Sequence, residues 1–511
     1  MTIPSKASDG NKMDNTNVRR VGILVIHGVG EQTRFEHLEE IALNLAKAAG
    51  TASVDMKYGS QTERHAEQQS WHESPLIVRW QGEKQWIEAH FREVYWADFG
   101  MGVTVMDWLR MLWWIISMPG ARVFSAGDGQ AQESANLPLY ELQAPSKPTQ
   151  RARFLARTYL GFVCSIATPL VLFAKPIEML LARLISWNVP LPRVLMHTLG
   201  NVMLYQDAKV FIDRLESFNE KRRNGIRRRM VQGLLAMATD AEQGKLDAFY
   251  VIGHSLGTVI AFNALMECPA ALPNFLSHEE WKNLPKLFKI SGPPTPPDLI
   301  PPRPPWLNPG DSINRHALLE KCKGFLTAGC PLDKFASLWP AIVPISTQQL
   351  DPEIRWINVA DGLDIVANYL HYFPTAPAVA GGLKLENHWW SDAFSPVTAH
   401  TSYWKVTKPG QKKLMNWIVG WLEDESCPGP ALRQPPRQHK WHLLLWLILL
   451  GFIVFLLTSV GLTFAVIKLK IPYFHDWRLN ILWLSCGSIV VVSVSSLARR
   501  LYERHRWGPQ K

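Results

Sequence analysis

Short, mostly apolar runs alternate along the chain with longer segments of helical periodicity. The short runs predict β-strands at Val21–Ile26, Leu76–Trp80, Glu93–Trp96, Ala248–Ile252, Gly324–Ala328 and Trp356–Val359. Segments in which apolar residues recur every three or four positions predict helices at Glu36–Ala49, Arg227–Ala241 and Leu256–Met266. Short apolar strands alternating with helices predict an α/β fold, in which a mostly parallel sheet carries helices on both faces.

Two long uncharged stretches follow the alternating part of the chain. Residues 443–467 are 25 residues without a charge, enough for a helix to cross a hydrocarbon core of about 30 Å. The second stretch, Ile481–Ala498, has 18 residues and contains five serines. Together they predict a transmembrane hairpin over residues 441–498 near the end of the chain.

Two further apolar stretches, Gly102–Met118 and Thr158–Ala174, interrupt the alternating pattern. Asp107 and Arg110 break the first stretch, and Pro169 interrupts the second. Entry into the membrane therefore competes with a buried helix pair or a helix lying at the membrane surface. In either case the pattern predicts a hydrophobic helical insertion over residues 101–200.

These patterns divide the chain into seven segments. They are a polar tail (1–20), the first part of the α/β domain (21–100), the insertion (101–200), the second part of the α/β domain (201–425), a linker (426–440), the hairpin (441–498) and a basic tail (499–511). The first 20 residues hold no apolar core of a signal peptide.

The uneven distribution of charge along the chain indicates which kind of partner the protein has. The formal net charge is +10, and residues 430–511 hold eleven Lys or Arg against two acidic residues. Basic residues that border apolar segments indicate anionic lipid headgroups as partners and argue against nucleic acid. Eight basic residues flank the hairpin and three lie in its loop. The positive-inside rule then predicts a multi-pass membrane protein whose α/β domain faces the cytoplasm.

One motif carries a chemical prediction. Gly253-His254-Ser255-Leu256-Gly257 stands between a predicted strand and a predicted helix. A serine hydroxyl becomes nucleophilic on a strained, exposed turn with a base and backbone donors nearby, and glycines permit such a turn. We therefore predict Ser255 as a nucleophile and the Leu256 N–H as a donor to the oxyanion. As an alternative, Ser255 could simply cap the following helix.

The motif resembles the α/β-hydrolase superfamily, and its Gly-His-Ser-Leu-Gly form is similar to that of lipases and esterases. The resemblance covers most of residues 21–425. It implies an α/β-hydrolase fold, a lid at the position of the insertion, and a second oxyanion donor at the His-Gly turn after an early strand. His27-Gly28-Val29-Gly30 occupies that place, so the resemblance implies the N–H of Val29 as the donor, with Gly30 as the alternative and His27 as a structural residue.

In this superfamily the acid and the base follow the serine along the chain. Asp364 lies in an Asp-x-Val sequence after the strand Trp356–Val359, where the resemblance places the acid. Asp361 is the alternative acid, although its side chain could instead cap the turn. Asp333 is a third candidate, with a turn or helix cap as its other role.

The base is expected on a loop between the last strand and the closing helix. His400 lies at that position, and His388 competes with it from within or beside the strand. Cys330 lacks a turn with glycines on both flanks and a helix that starts directly after it, so it is expected in the core. The basic run Arg222–Arg229 is expected to be a solvated helix face.

No motif implies a cofactor or a metal site. The six cysteines include no C-x-x-C pair, which argues against a zinc site and against a disulfide framework. The expected function is a membrane-anchored serine hydrolase that cleaves carboxylic esters, with acyl lipids as the substrate class. Two alternatives stay open: a deacylase or amidase acting on acylated proteins or acyl thioesters, and a catalytically silent membrane scaffold. The sequence does not predict the oligomeric state.

Overall fold

The computed structural model describes most of the chain predicted as the α/β domain. The described residues are 18–30, 32–50, 53–56, 76–100, 200–206, 213–292, 303–338, 353–364, 366–367, 369–370, 373, 383–390, 396–406 and 412–430. Nearly all of the predicted insertion and the whole of the predicted hairpin and basic tail lie outside these residues. Within the described ranges, no helix has both the length and the apolarity that crossing a bilayer requires.

Ten strands and nine α-helices form the described part of the chain. The strands are β1 (Val18–Ile26), β2 (Ser53–Met56), β3 (Leu76–Gln81), β4 (Trp86–Val94), β5 (Ala248–His254), β6 (Lys289–Ser291), β7 (Asp311–Ile313), β8 (Cys322–Ala328), β9 (Ile354–Asp361) and β10 (Leu383–Trp390). The helices are α1 (Glu36–Ala49), α2 (Asn201–Gln206), α3 (Asp213–Glu242), α4 (Leu256–Leu265), α5 (His278–Asn283), α6 (Arg315–Leu319), α7 (Leu332–Leu338), α8 (Pro396–Thr401) and α9 (Lys412–Glu423).

Eight strands form one mixed sheet in the order β10-β9-β8-β5-β1-β4-β3-β2. All neighbours from β10 to β4 are parallel, whereas β3 is antiparallel to both β4 and β2. The predicted α/β class with a mostly parallel sheet is therefore confirmed. The six parallel strands end at the same side of the sheet, which we call the carboxyl edge.

The sheet is covered on both faces because successive residues of β1 point in opposite directions. Leu24 and Ile26 are fully buried against α3 and α4, and Ile23 and Val25 are fully buried against α1 and α9. After β1 the chain forms β2, β3 and β4, which lie on one side of β1 in the sheet. It then forms β5, which lies on the other side of β1. The strand order thus reverses around β1, and the carboxyl edge at such a reversal is where open α/β sheets bind ligands.

Two of the predicted elements begin more than three residues away from their observed starts. The strand expected at Glu93–Trp96 is β4 (Trp86–Val94). Polar residues interrupt its apolar pattern, and the structure accommodates them by pairing them with residues of neighbouring elements. Glu88 accepts a hydrogen bond from Arg79 of β3, at 2.6 Å between Oε2 and Nε. The helix expected from Arg227 begins already at Asp213 as α3.

Candidate active site

Ser255 lies on the tight turn between β5 and α4, at the carboxyl edge of the sheet. Its backbone has φ 53° and ψ −128°, which is a strained conformation for a residue with a side chain. A Cβ on Gly257 would lie 2.5 Å from the carbonyl oxygen of Ile26, and a Cβ on Gly253 would lie 2.9 Å from a Cα of α4. The two glycines therefore let α4 begin against β1 and β5, and this close approach holds Ser255 in its turn.

The side chain of His400 lies next to Ser255 at the carboxyl edge. The expected loop around it is wrong, because residues Pro396–Thr401 form the short helix α8. Its Nε2 lies 2.7 Å from Ser255 Oγ, and its Nδ1 lies 2.8 Å from Asp364 Oδ2. An ionised carboxylate only accepts hydrogen bonds, so the proton of a neutral imidazole sits on Nδ1 and the lone pair of Nε2 faces the serine hydroxyl.

Asp364 lies on the loop that follows β9 and is held by four hydrogen bonds. Its Oδ1 accepts from the N–H groups of Val366 and Ala367, at 2.8 and 3.1 Å. Its Oδ2 accepts from His400 and from the hydroxyl of Tyr403, each at 2.8 Å. Burial by itself raises the pKa of this carboxyl, but His400 and the other donors outweigh it and hold the pKa below its usual value. Asp364 is therefore ionised at neutral pH.

Tyr403 belongs to the site and was not identified from the sequence. Its side chain is fully buried, its hydroxyl donates to Asp364, and the same oxygen accepts from the Asp361 N–H at 2.9 Å. Burial raises the pKa of the phenol well above 10, and the nearby carboxylates add to the effect. Tyr403 follows His400 by three residues, but a tyrosine in an apolar stretch carries no sequence signal that separates this role from ordinary packing.

The alternative acid and base lie elsewhere in the site region. Asp361 Oδ1 accepts a hydrogen bond from the Leu363 N–H at 2.8 Å, so this side chain does cap the turn. His388 stands in β10, where its Nε2 lies 3.5 Å from Glu386 Oε2. The hydrogen bonds to Ser255 and to His400 Nδ1 are made by the preferred pair, His400 and Asp364.

The remaining candidates have structural surroundings. Asp333 is a buried residue in the first turn of α7. The Cys330 thiol is fully buried and accepts a hydrogen bond from the Thr258 hydroxyl at 3.1 Å. Burial raises the pKa of this thiol to about 12, so Cys330 is protonated and unreactive at neutral pH.

The loop after β1 lies against Ser255. A Cβ on Gly28 would come within 2.6 Å of Ser255 Cβ, so the loop can approach the serine this closely only with glycine at that position. Val29 and Gly30 follow, and Gly30 has a φ of 128° that favours glycine. Leu256 opens α4, where first-turn N–H groups have no intrahelical acceptor. The structure thus places the loop that contains Val29 and Gly30 next to Ser255, which directly precedes Leu256.

His27 fixes the position of this loop. Its Nδ1–H donates to the Gly28 carbonyl at 2.8 Å, and its Nε2 accepts from the Trp96 N–H at 3.1 Å. The ring is stacked on Trp96 with 4.9 Å between the ring centroids. Burial lowers the pKa of His27 to about 3, so the imidazole stays neutral. These contacts describe a structural residue.

His254 contacts the backbone and the ring of His400, a role that was not predicted from the sequence. Its Nε2 lies 2.8 Å from the His400 carbonyl oxygen, and the two ring centroids lie 5.1 Å apart. Burial keeps the pKa of His254 well below 6.5, and the neighbouring His400 and His37 act in the same direction. A neutral His254 donates a hydrogen bond to the His400 carbonyl oxygen and thereby fixes the backbone of α8 at His400.

The basic run on α3 joins the segment that leads towards the insertion. Arg229 donates to the Tyr95 carbonyl at 2.7 Å, forms an ion pair with Asp98, and lies over the Phe99 ring. Arg222 donates to the Gly100 carbonyl at 3.0 Å. The expected solvated helix face is therefore wrong for these two arginines, which hold the chain at the point where it leaves β4.

The arrangement at the carboxyl edge can transfer a proton from Ser255 to His400 and can stabilise the resulting imidazolium through Asp364. Within the described ranges, no group of three or more His, Cys, Asp or Glu side chains is placed to hold a metal ion. Comparisons with protein-family models, with curated proteins and with solved structures find no match to this chain.

Proposed function

We propose that this chain is a serine hydrolase of the α/β-hydrolase superfamily that cleaves carboxylic esters with Ser255, His400 and Asp364. The observation that carries the proposal is the unbroken line of hydrogen bonds from Ser255 Oγ to His400 Nε2, at 2.7 Å, and from His400 Nδ1 to Asp364, at 2.8 Å. The chain order Ser, Asp, His and the strained turn at Ser255 support it. The location at the strand-order reversal supports it further.

In the proposed reaction, Ser255 Oγ attacks the ester carbonyl carbon while His400 Nε2 accepts the hydroxyl proton. The N–H groups of Leu256 and Val29 bind the oxyanion of the tetrahedral intermediate. His400 then returns the proton to the leaving alkoxide, which departs as the alcohol and leaves an acyl-Ser255 ester. Water, activated by the same imidazole, hydrolyses this ester and regenerates the serine, and Asp364 stabilises the imidazolium in both halves.

Acyl lipids are the proposed substrate class, and the membrane is the proposed location. The support comes from the uncharged residues 443–467, the apolar stretches within 101–200 and the basic excess of residues 430–511. A hydrolase held at a bilayer meets lipid esters at high local concentration. This step rests on the chain's apolar pattern, because a fold alone does not define a substrate.

Labelling with a fluorophosphonate tests the proposal, since the reagent phosphonylates an activated serine. The full chain should be labelled, and Ser255→Ala should abolish both labelling and ester hydrolysis. Ser426→Ala is the matched control, because Ser426 is exposed and its hydrogen bonds within the described ranges are to the nearby Asp424. A chain that folds but takes no label would instead indicate a silent scaffold, and label retained in Ser255→Ala would exclude Ser255 as the nucleophile.

Substrate class is tested by the leaving group and the acyl chain. Purified full chain should hydrolyse long-chain acyl esters in mixed micelles faster than the matching thioesters or amides. If the thioester or the amide is the better substrate, the chain is a deacylase or an amidase with the same three residues.

A further inference from the structure

Lys334 is a half-buried cation beside the loop that carries Asp364. It lies in α7, and its Nζ donates to the carbonyl oxygens of Val366 and Ala367, at 2.8 and 3.4 Å. A lysine ammonium is strongly hydrated in water, so its burial costs free energy unless it gains hydrogen bonds or charge partners. The two carbonyls belong to one short loop segment, and this is the segment that bonds Asp364.

The same two residues bind Asp364 through their amide groups. The N–H groups of Val366 and Ala367 donate to Asp364 Oδ1 at 2.8 and 3.1 Å. The peptide groups around Val366 and Ala367 are thus held by Lys334 through their oxygens and by Asp364 through their nitrogens. A rotation of this segment that breaks the bonds to Lys334 would also misalign the donors that fix the carboxylate.

The charges around Lys334 come from three elements. Asp364 faces it from the loop after β9, Asp333 lies beside it on α7, and Cys330 lies on the turn after β8. Burial lowers the pKa of Lys334 to about 8, against the opposing influence of Asp364, Asp333 and Cys330. Because Cys330 is protonated at this pH, the charged groups among these three are the two carboxylates. His400 lies beyond Asp364 and is paired with its other oxygen.

We infer that Lys334 is a positioning residue that holds the loop of Asp364 in the geometry required by His400 and that couples this geometry to pH. The inference rests on the proposed serine-hydrolase function. Below about pH 8 the ammonium binds both carbonyls and faces the carboxylates. Above that pH a neutral amine binds the carbonyls more weakly and no longer balances Asp364, so activation of Ser255 should decline.

The test is the rate of fluorophosphonate labelling of the full chain from about pH 6 to about pH 10. For the unchanged chain, the rate should fall above about pH 8. Lys334→Arg keeps the donors and a permanent charge, so the alkaline decline should disappear. Lys334→Gln keeps a donor without the charge and should label about tenfold more slowly with no alkaline decline, and Lys334→Met should lose about 100-fold, as expected for misplaced catalytic groups. Lys321→Met, at an exposed lysine, is the control and should match the unchanged chain.

Each outcome separates the two proposals. If the unchanged chain takes no label, the hydrolase proposal fails. If it is labelled and all three Lys334 variants keep its rate and its pH profile, the hydrolase proposal stands and the role of Lys334 is refuted. If Lys334→Met does not fold, Lys334→Arg still decides, because an alkaline decline that persists in that variant contradicts the inference. In steady-state assays kcat should change while KM stays within about threefold, since Lys334 reaches the reaction only through Asp364.

Discussion

At the scale of single residues, two aspartates three positions apart have different tasks. Asp364 binds His400, whereas Asp361 caps the turn by accepting from the Leu363 N–H. Asp364→Asn should therefore reduce kcat by about 10⁴-fold, because the amide does not stabilise an imidazolium. Asp361→Asn should leave kcat within about threefold and cost no more than about 1 kcal/mol, because the asparagine oxygen can still accept from Leu363. Steady-state hydrolysis measures the effect on kcat, and thermal unfolding measures the effect on stability. An inactive Asp361→Asn would identify Asp361 as the acid.

The base offers the same comparison between two histidines. His400→Ala should abolish fluorophosphonate labelling, because Ser255 Oγ then loses the acceptor at 2.7 Å. His388→Ala should label at the rate of the unchanged chain, since His388 pairs with Glu386 in β10. Labelling rates at neutral pH measure the difference. Loss of labelling in His388→Ala with normal labelling in His400→Ala would reverse the assignment.

A buried carboxyl outside the site makes stability depend on pH. Glu93 Oε2 accepts from the Phe35 N–H at 2.6 Å, and Oε1 has no hydrogen-bond partner in the described part of the chain. Burial raises the pKa of Glu93 from 4.5 to about 8, against the influence of Phe35 and Arg34. A raised carboxyl pKa means that the folded chain holds a proton that the unfolded chain releases, so stability is lost as pH rises from about 4.5 to about 8.

Replacing Glu93 by glutamine removes this titration and keeps the shape of the side chain. Glu93→Gln should have the stability of the unchanged chain near pH 5 and exceed it by on the order of 2–4 kcal/mol near pH 8. Denaturant unfolding at the two pH values measures the difference. An equal effect of the substitution at both pH values would show that ionisation of Glu93 is not its cause.

At the scale of elements, the turn between β5 and α4 depends on Gly257, the glycine on the α4 side of Ser255. Gly257→Ala would place a Cβ 2.5 Å from backbone oxygens of β1 and the following residue, so α4 must move and Ser255 with it. We expect a loss of about 1–3 kcal/mol of stability and of most of the labelling. Gly420→Ala in α9 is the matched control: its Cβ meets only Cys427 Sγ, at 3.6 Å. That variant should gain about 0.5–1 kcal/mol because alanine favours a helix.

Elements and their site residues differ in how far the sequence predicts them. The strand and turn around Ser255 are predictable because an apolar run, two glycines and a helix follow one another within a few residues. β4 is not, because Glu88 and Arg92 bring charges into the strand whose partners include residues of other elements, Arg79 in β3 and Asp240 in α3. The contributions of Tyr403 and Lys334 depend likewise on contacts between residues far apart in sequence, and no local pattern records those contacts.

At the scale of the whole molecule, the chain leaves the described α/β domain at the side of the sheet opposite the site. Arg355, near the amino end of β9, donates to the carbonyl oxygens of Glu425 and Cys427. Arg19, near the amino end of β1, forms an ion pair with Glu425 at 2.7 Å. Ser255, Asp364 and the loop after β1 lie at the carboxyl edge. Residues 424–430 are thus fastened to the amino ends of the parallel strands.

This arrangement predicts that the segment after residue 430 can be removed without loss of the site. A chain that ends after Pro430 keeps the contacts of Glu425 and Cys427 with Arg355, and also the hydrogen bond from Trp417 Nε1 to the Pro428 carbonyl at 2.8 Å. We expect it to fold, to take up fluorophosphonate at the rate of the full chain, and to leave the membrane fraction on carbonate extraction if residues 443–467 supply the main anchor. A truncated chain that keeps its label but resists extraction would place the anchor in the predicted insertion, residues 101–200. One that loses its label would show that the contacts at the amino ends of the strands do not suffice to hold the domain. Labelling of intact cells with an impermeant thiol reagent then tests sidedness: Ser426→Cys, at an exposed position, should stay unreacted in intact cells and react after lysis if the domain faces the cytoplasm.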